Sequence, residues 1–203
     1  MPSSRALRRD AAVALLVGAS VFFARASLAD HYRVPTGSME PTVAVGDQIC
    51  VNKLAYGFRI PVSDNYIVHW SSPEGAPERG DVVVLDSPAD GNVLLKRVVA
   101  VPGDLVAVRD GHITIDGASV PVHEELGGWI ETLGGREHPV DMNAGGGPDL
   151  SAIRVPRRSY LVLGDNRGNS RDGRSFGWVT LDAILGRASA VCIHDGRPVW
   201  RDL

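Results

Sequence analysis

The chain has 203 residues, enough for one modest domain or two small ones with an apolar core. Lys and Arg number 21 against 24 Asp and Glu, and a net charge of −3 gives no basic footprint for nucleic acid. Frequent Gly (23) and Pro (13) favour short strands and tight turns over a helical bundle.

Within residues 1–10, Arg5, Arg8 and Arg9 precede an uncharged stretch, 11–24, which is followed by Arg25. As a helix that stretch spans about 21 Å, short of the ~30 Å hydrocarbon core. It fits a signal-peptide hydrophobic region as well as a membrane anchor, and Ser27-Leu28-Ala29 offers small residues at cleavage spacing. Snorkelling by Arg25 and extension through 26–29 bring it to about the 17-residue lower limit of a span. On either reading the arginines put the N-terminus in the cytoplasm and the rest across the membrane.

Beyond residue 33 the helical period gives way to short β-rich runs at 48–51, 82–85, 93–101, 105–108, 112–115, 159–163 and 188–194. Gly46-Asp47, Gly80-Asp81 and Gly103-Asp104 each enter or nearly enter such a run, as turn residues do. Arg109-Asp110-Gly111-His112 reads as a hairpin turn, and one short helix is predicted at 181–185. The expected fold is mostly β, an antiparallel sheet whose core is split into 30–116 and 155–203. Between them, 117–154 is rich in Gly, Pro and charge and reads as an inserted, loop-rich subdomain with room for a small hairpin of its own and no chemistry. Cys50 and Cys192 lie in apolar runs; two buried free thiols are the ordinary reading, and a disulfide is the alternative in an oxidising compartment.

Three segments carry polar residues in unusual settings. In Val34-Pro35-Thr36-Gly37-Ser38-Met39-Glu40-Pro41-Thr42, two prolines bracket a Gly-Ser step, so the backbone at Ser38 is stiff and turned. Gly37, lacking a Cβ, lets another backbone approach. In 93–101, Lys96 shares a strand face with Leu94, Val98 and Ala100. Such a lysine either snorkels to solvent or is desolvated, in which case its pKa falls and it can accept a proton near neutrality. The third segment, Gly164-Asp165-Asn166-Arg167-Gly168-Asn169-Ser170-Arg171-Asp172-Gly173-Arg174, is a polar loop directly after an apolar run. Each has a bland reading: a structural turn, a snorkelling lysine, a solvated loop. An Asp172–Arg174 pair at the surface would contribute only ~0–1 kcal/mol.

Together and in this order, with Arg79-Gly80-Asp81-Val82-Val83-Val84, Leu95-Lys96-Arg97-Val98 and Pro102-Gly103-Asp104, the segments resemble the bacterial type I signal peptidases. These are serine proteases of the S26 family with a Ser–Lys dyad. The resemblance runs from the apolar N-terminal stretch to about residue 186. It implies Ser38 as nucleophile and Lys96 as general base, with no histidine among the six required. It implies an oxyanion hole from the Ser38 amide and the Thr36 hydroxyl, where many members carry serine. Ser170 is expected to orient the Lys96 amine, and Asp172 and Arg174 to support that region. Val34, Pro35, Met39, Val43 and Leu95 are expected to line the substrate pockets; packing a core remains a compatible role for the four other than Pro35. No cofactor and no metal are implied.

The implied partners are preprotein signal peptides, cut after small residues at −1 and −3, and the lipid bilayer. The resemblance favours an uncleaved single-pass transmembrane helix at 11–29 in the inner (plasma) membrane. The catalytic domain would then face the outer side. Two departures stand out: Gly168 replaces a common aspartate, loosening the loop, and Ser175-Phe176 replaces a more aromatic pair. A maturation protease dedicated to one substrate, as in conjugation systems, fits the same motifs. So does a membrane-anchored domain that only binds peptides. A Ser–Lys self-cleaving regulator would need a helix-turn-helix module for which the chain has no room.

Overall fold

The computed structural model describes residues 10, 13, 15–17, 29–59, 66–70, 75–125 and 127–203. The expected anchor at 11–29 falls mostly outside them, and Ala29 already opens a strand, Ala29–Arg33. Among the described residues, no helix is long and apolar enough to cross a membrane.

The main body is an antiparallel sheet of eight strands. In spatial order these are Ala29–Arg33, Gln48–Asn52, Ile184–His194, Val82–Asp86, Val93–Ala100, Ser159–Leu163 and Val179–Thr180, with Arg197–Asp202 paired to Ile184–His194. Val82–Asp86 occupies a central place, and its valines and leucine are all buried, which explains the unbroken apolar run. Gln48–Asn52 instead alternates, sending Ile49 and Val51 inward. Ile184–His194 is long enough to pair with Val82–Asp86 first and then with Gln48–Asn52 and Arg197–Asp202. Register shifts along all three pairings mark the β-bulges that let one strand serve three neighbours.

All seven strands expected from the sequence are present, the last beginning earlier, at Ile184. The helix predicted at 181–185 is a 3₁₀ turn, Leu181–Ala183, that passes directly into that strand. Ile184 is fully buried opposite Leu85, and sheet pairing outweighs the weak local preference for helix. A short α-helix, Gly173–Phe176, forms where none was predicted.

The 117–154 segment holds more strand than the single small hairpin its composition allows. Val122–Glu125, Gly128–Leu133 and Arg136–Val140 form a three-stranded antiparallel sheet. Its second turn is Gly134-Gly135, both at positive φ as a two-residue hairpin demands. Leu150–Arg154 then joins Leu105–Arg109, His112–Ile115 and Ala118–Ser119 in a four-stranded sheet, so the expected boundary at 117 cuts through one sheet.

The cysteines also depart from the free-thiol reading. Gln48–Asn52 and Ile184–His194 are neighbours, Cys50 faces Ala190, and the Cys50 and Cys192 sulfurs are bonded with Cα atoms 5.9 Å apart. A separation of 142 residues hid that adjacency from the sequence.

Candidate active site

Ser38 sits in a single 3₁₀ turn, Gly37–Met39, entered from the extended residue Thr36. The turn is pinned from below: Met39 and Val43 are fully buried in a cluster with Val34, Ile49 and Val51. From above it is held by the polar loop. The Asn166 amide donates to the Ser38 carbonyl (3.2 Å), and Asn166 Nδ2 donates to the Gly37 carbonyl (3.2 Å). The close backbone approach expected at Gly37 occurs at Gly164, where a Cβ would lie 2.3 Å from the Ser38 carbonyl oxygen. At Gly37 that space faces the Glu40 carboxylate instead.

Lys96 does not snorkel. It is 2% exposed, and its Nζ lies 2.6 Å from Ser38 Oγ and donates to the Leu95 carbonyl at 2.8 Å. Burial pushes its pKa down to about 8, against the opposing pull of the Asp172 and Asp165 carboxylates. Residues 58 apart in sequence thus form a hydroxyl–amine pair whose amine is readily deprotonated.

A cleft of about 290 Å³ opens over this pair. Val34, Pro35, Thr36, Met39 and Leu95 line it beside Ser38 and Lys96, as do Tyr32, Ile49 and Val84, which the sequence reading missed. Val43 is a correction: it lies in the core beneath the turn and is not among the lining residues. Thr36 and Ser38 line the same cleft.

Ser170 is a second correction. Its hydroxyl was expected on the Lys96 amine, but Oγ is buried without a hydrogen-bond partner. It packs against Gly164, where a Cβ would come within 2.3 Å of it. Asp172 and Arg174 do pair, and not at the surface: both side chains are fully buried. Arg174 Nε and Nη2 donate to the two Asp172 oxygens at 2.8 and 2.7 Å, a bidentate fork. Asp172 also accepts from the Gly164 amide (3.0 Å) and caps Gly173–Phe176 through the Arg174 amide (3.2 Å).

A further pair escaped the sequence reading. Arg97, neighbour of Lys96 and pointing to the other strand face, donates to both Asp165 oxygens at 2.9 and 2.8 Å. Arg97 is 3% and Asp165 1% exposed, and Thr42 Oγ1 donates to the same carboxylate at 2.5 Å. Burial alone would raise the Asp165 pKa; Arg97, His138 and Thr42 outweigh it and hold the carboxyl below its usual range. An arginine inside an apolar strand was the available signal.

Residues 7–193 match the family described as "Signal peptidase, peptidase S26". "Signal peptidase I" of Pseudomonas fluorescens is 37% identical over 196 residues, covering 84% of this chain and 67% of the relative. That of Pseudomonas aeruginosa is 36% identical over 200 residues, with the same coverage. "Probable signal peptidase I-2" of Synechocystis sp. is 31% identical, covering 87% of this chain and 66% of its own. The chain therefore spans about two thirds of the length of these relatives. A crystal structure of a signal peptidase I from Enterococcus faecalis V583 superposes with a TM-score of 0.38 at 27% identity, covering 55% of this chain and 95% of that one. On the sequence matches, the chain belongs to the peptidase S26 family of signal peptidases.

Proposed function

We propose that this chain removes signal peptides from exported preproteins, with Ser38 as nucleophile and Lys96 as general base. The observation that carries this reading is the 2.6 Å contact between Ser38 Oγ and a buried amine whose pKa lies near 8. In the neutral amine, the Ser38 hydroxyl donates its proton to Nζ as Oγ attacks the scissile carbonyl. The oxyanion is received by the Ser38 amide and the Thr36 hydroxyl. Nζ then passes its proton to the departing amine, leaving an acyl-enzyme. Neutral once more, it deprotonates the water that releases the signal peptide. The Leu95 carbonyl, accepting from Nζ, holds the amine in place through both steps.

Substrate is proposed to add as a strand along the segments that end at Ser38 and Lys96. Val34, Met39 and Leu95 then leave room for small side chains at −1 and −3, consistent with a cleft of about 290 Å³. Membrane anchoring through 11–29, with the catalytic domain on the outer side of the inner membrane, completes the proposal. It rests on the apolar stretch and its preceding arginines.

The test is cleavage of a preprotein bearing an Ala-X-Ala site by the purified chain. Ser38→Ala and Lys96→Ala are expected to abolish cleavage. Lys96→Arg is expected to do the same, because guanidinium keeps its proton. Wild-type rates in these variants would remove the dyad assignment.

A further inference from the structure

Beyond the dyad, a buried ionic cluster that the mechanism does not use ties the 117–154 segment to the loop that holds Ser38. Glu131, on Gly128–Leu133, is fully buried. Both its oxygens accept from the Arg167 guanidinium, which is also fully buried and donates in addition to the Gly111 carbonyl at 2.6 Å. His138 Nε2 stands 3.2 Å from Glu131 Oε1. Burial by itself would raise the Glu131 pKa; His138 and Arg167 outweigh it and hold the carboxyl below its usual range.

Arg167 is next in sequence to Asn166, whose amide and side chain hold the Ser38 and Gly37 carbonyls. The same stretch is clamped by main chain from the 117–154 segment. The Asp141 amide donates to the Asp165 carbonyl and the Arg167 amide to the Asp141 carbonyl, each at 2.8 Å. The Arg167 carbonyl accepts from Arg174 Nη2 at 2.8 Å. Residues 165–167 are therefore held from several sides, although Asn166 Oδ1 and Arg167 Nε are buried without a partner. Asn166 bonds the Gly37–Met39 turn directly, and Asp165 accepts from Thr42 just beyond it.

Resting on the proposed reaction, we infer that Glu131 is a positioning residue for Ser38, acting through Arg167 and then Asn166. A buried guanidinium that loses its carboxylate has no cheap alternative partner, so it moves, and Asn166 moves with it. Sub-ångström displacement of a nucleophile costs turnover more than binding, because substrate is held mainly by the cleft walls.

The experiment measures kcat and KM for preprotein cleavage by wild type, Glu131→Gln, Asn166→Ala and the double variant. It is run at a temperature where each shows native near-ultraviolet dichroism. Each single variant is expected to lose about 10- to 100-fold in kcat with KM held within about twofold. The double variant is expected to lose little more than the worse single one, because both changes break the same chain of contacts. A lowered melting temperature with unchanged kcat, a rise confined to KM, or fully multiplicative losses would each overturn the inference. If Glu131→Gln does not fold, Asn166→Ala decides, and wild-type kcat in it is again an overturning result. An inactive wild type strikes the proposed function and this inference with it; an active wild type with unaffected variants removes the inference alone.

Discussion

At the residue scale, Lys96 combines its proposed reactive role with an energetic cost. In the proposed reaction its neutral form is the base, and that form becomes half populated near pH 8. Preprotein cleavage should therefore rise about tenfold per pH unit below 8 and level off above it in kcat/KM. A profile already flat from pH 6 would mean that Lys96 is not the titrating base. The same shift bears on stability. The folded pKa, about 8, lies below the ordinary value of 10.5, so the unfolded chain binds more protons between them and stability rises with pH across that window. Below it the penalty of the buried ammonium is fully present, about 3 kcal/mol for a shift of this size. Lys96→Met, similar in volume and uncharged, is expected to be inactive yet to gain a large part of that energy at pH 7 in urea unfolding. A less stable Lys96→Met protein would contradict desolvation as the dominant effect. The roles proposed for Ser38 and Lys96 were not legible from the neighbours of either residue, because burial and mutual approach are tertiary properties; only the ordered motifs pointed to them.

At the scale of elements, Gly168 carries the clearest expectation. By sequence it stands where an aspartate is common, a change that loosens the loop. In the structure a Cβ at 168 would lie 2.5 Å from the carbonyl oxygens of both Ala144 and Gly145. The 117–154 segment thus fills the space such a side chain would take, and its neighbour Gly146 packs as tightly on Asp110. Gly168→Asp is expected to destabilise by about 2 kcal/mol or more, since backbone has to yield and a carboxylate would face two carbonyl oxygens. Unchanged urea unfolding of that variant would show that the loop and segment separate freely. The extent of strand in 117–154 is hidden by the character of those strands. Val122–Glu125 and Leu150–Arg154 are exposed along most of their length and carry no inward-outward alternation. The core strands, by contrast, were legible as apolar runs bounded by Gly-Asp turns. Gly173–Phe176 is a single helical turn, too short to leave any period in the sequence.

For the whole molecule, the buried carboxylates join parts of the chain that are remote in sequence. Asp165 links the loop to the strand Val93–Ala100 through Arg97, and Glu131 links the three-stranded sheet to the same loop through Arg167. Both have pKa values held below the usual carboxylate range. The unfolded chain therefore takes up these protons first as pH falls. The stabilisation is present in full above the ordinary carboxylate value, about 4, and is lost progressively as pH falls through the folded values. Acid should then loosen the contacts that hold the Ser38 turn together with the fold itself. Urea midpoints measured from pH 7 to pH 2 are expected to drop steeply below about pH 4 in the wild type. Asp165→Asn leaves Arg97 buried without a counter-charge, which costs about 3–5 kcal/mol at pH 7. Having no proton to take up at that site, this variant should also show a shallower fall below pH 4. If both proteins lose stability in parallel across that range, Asp165 is not a source of the acid sensitivity, and its pairing with Arg97 contributes geometry alone.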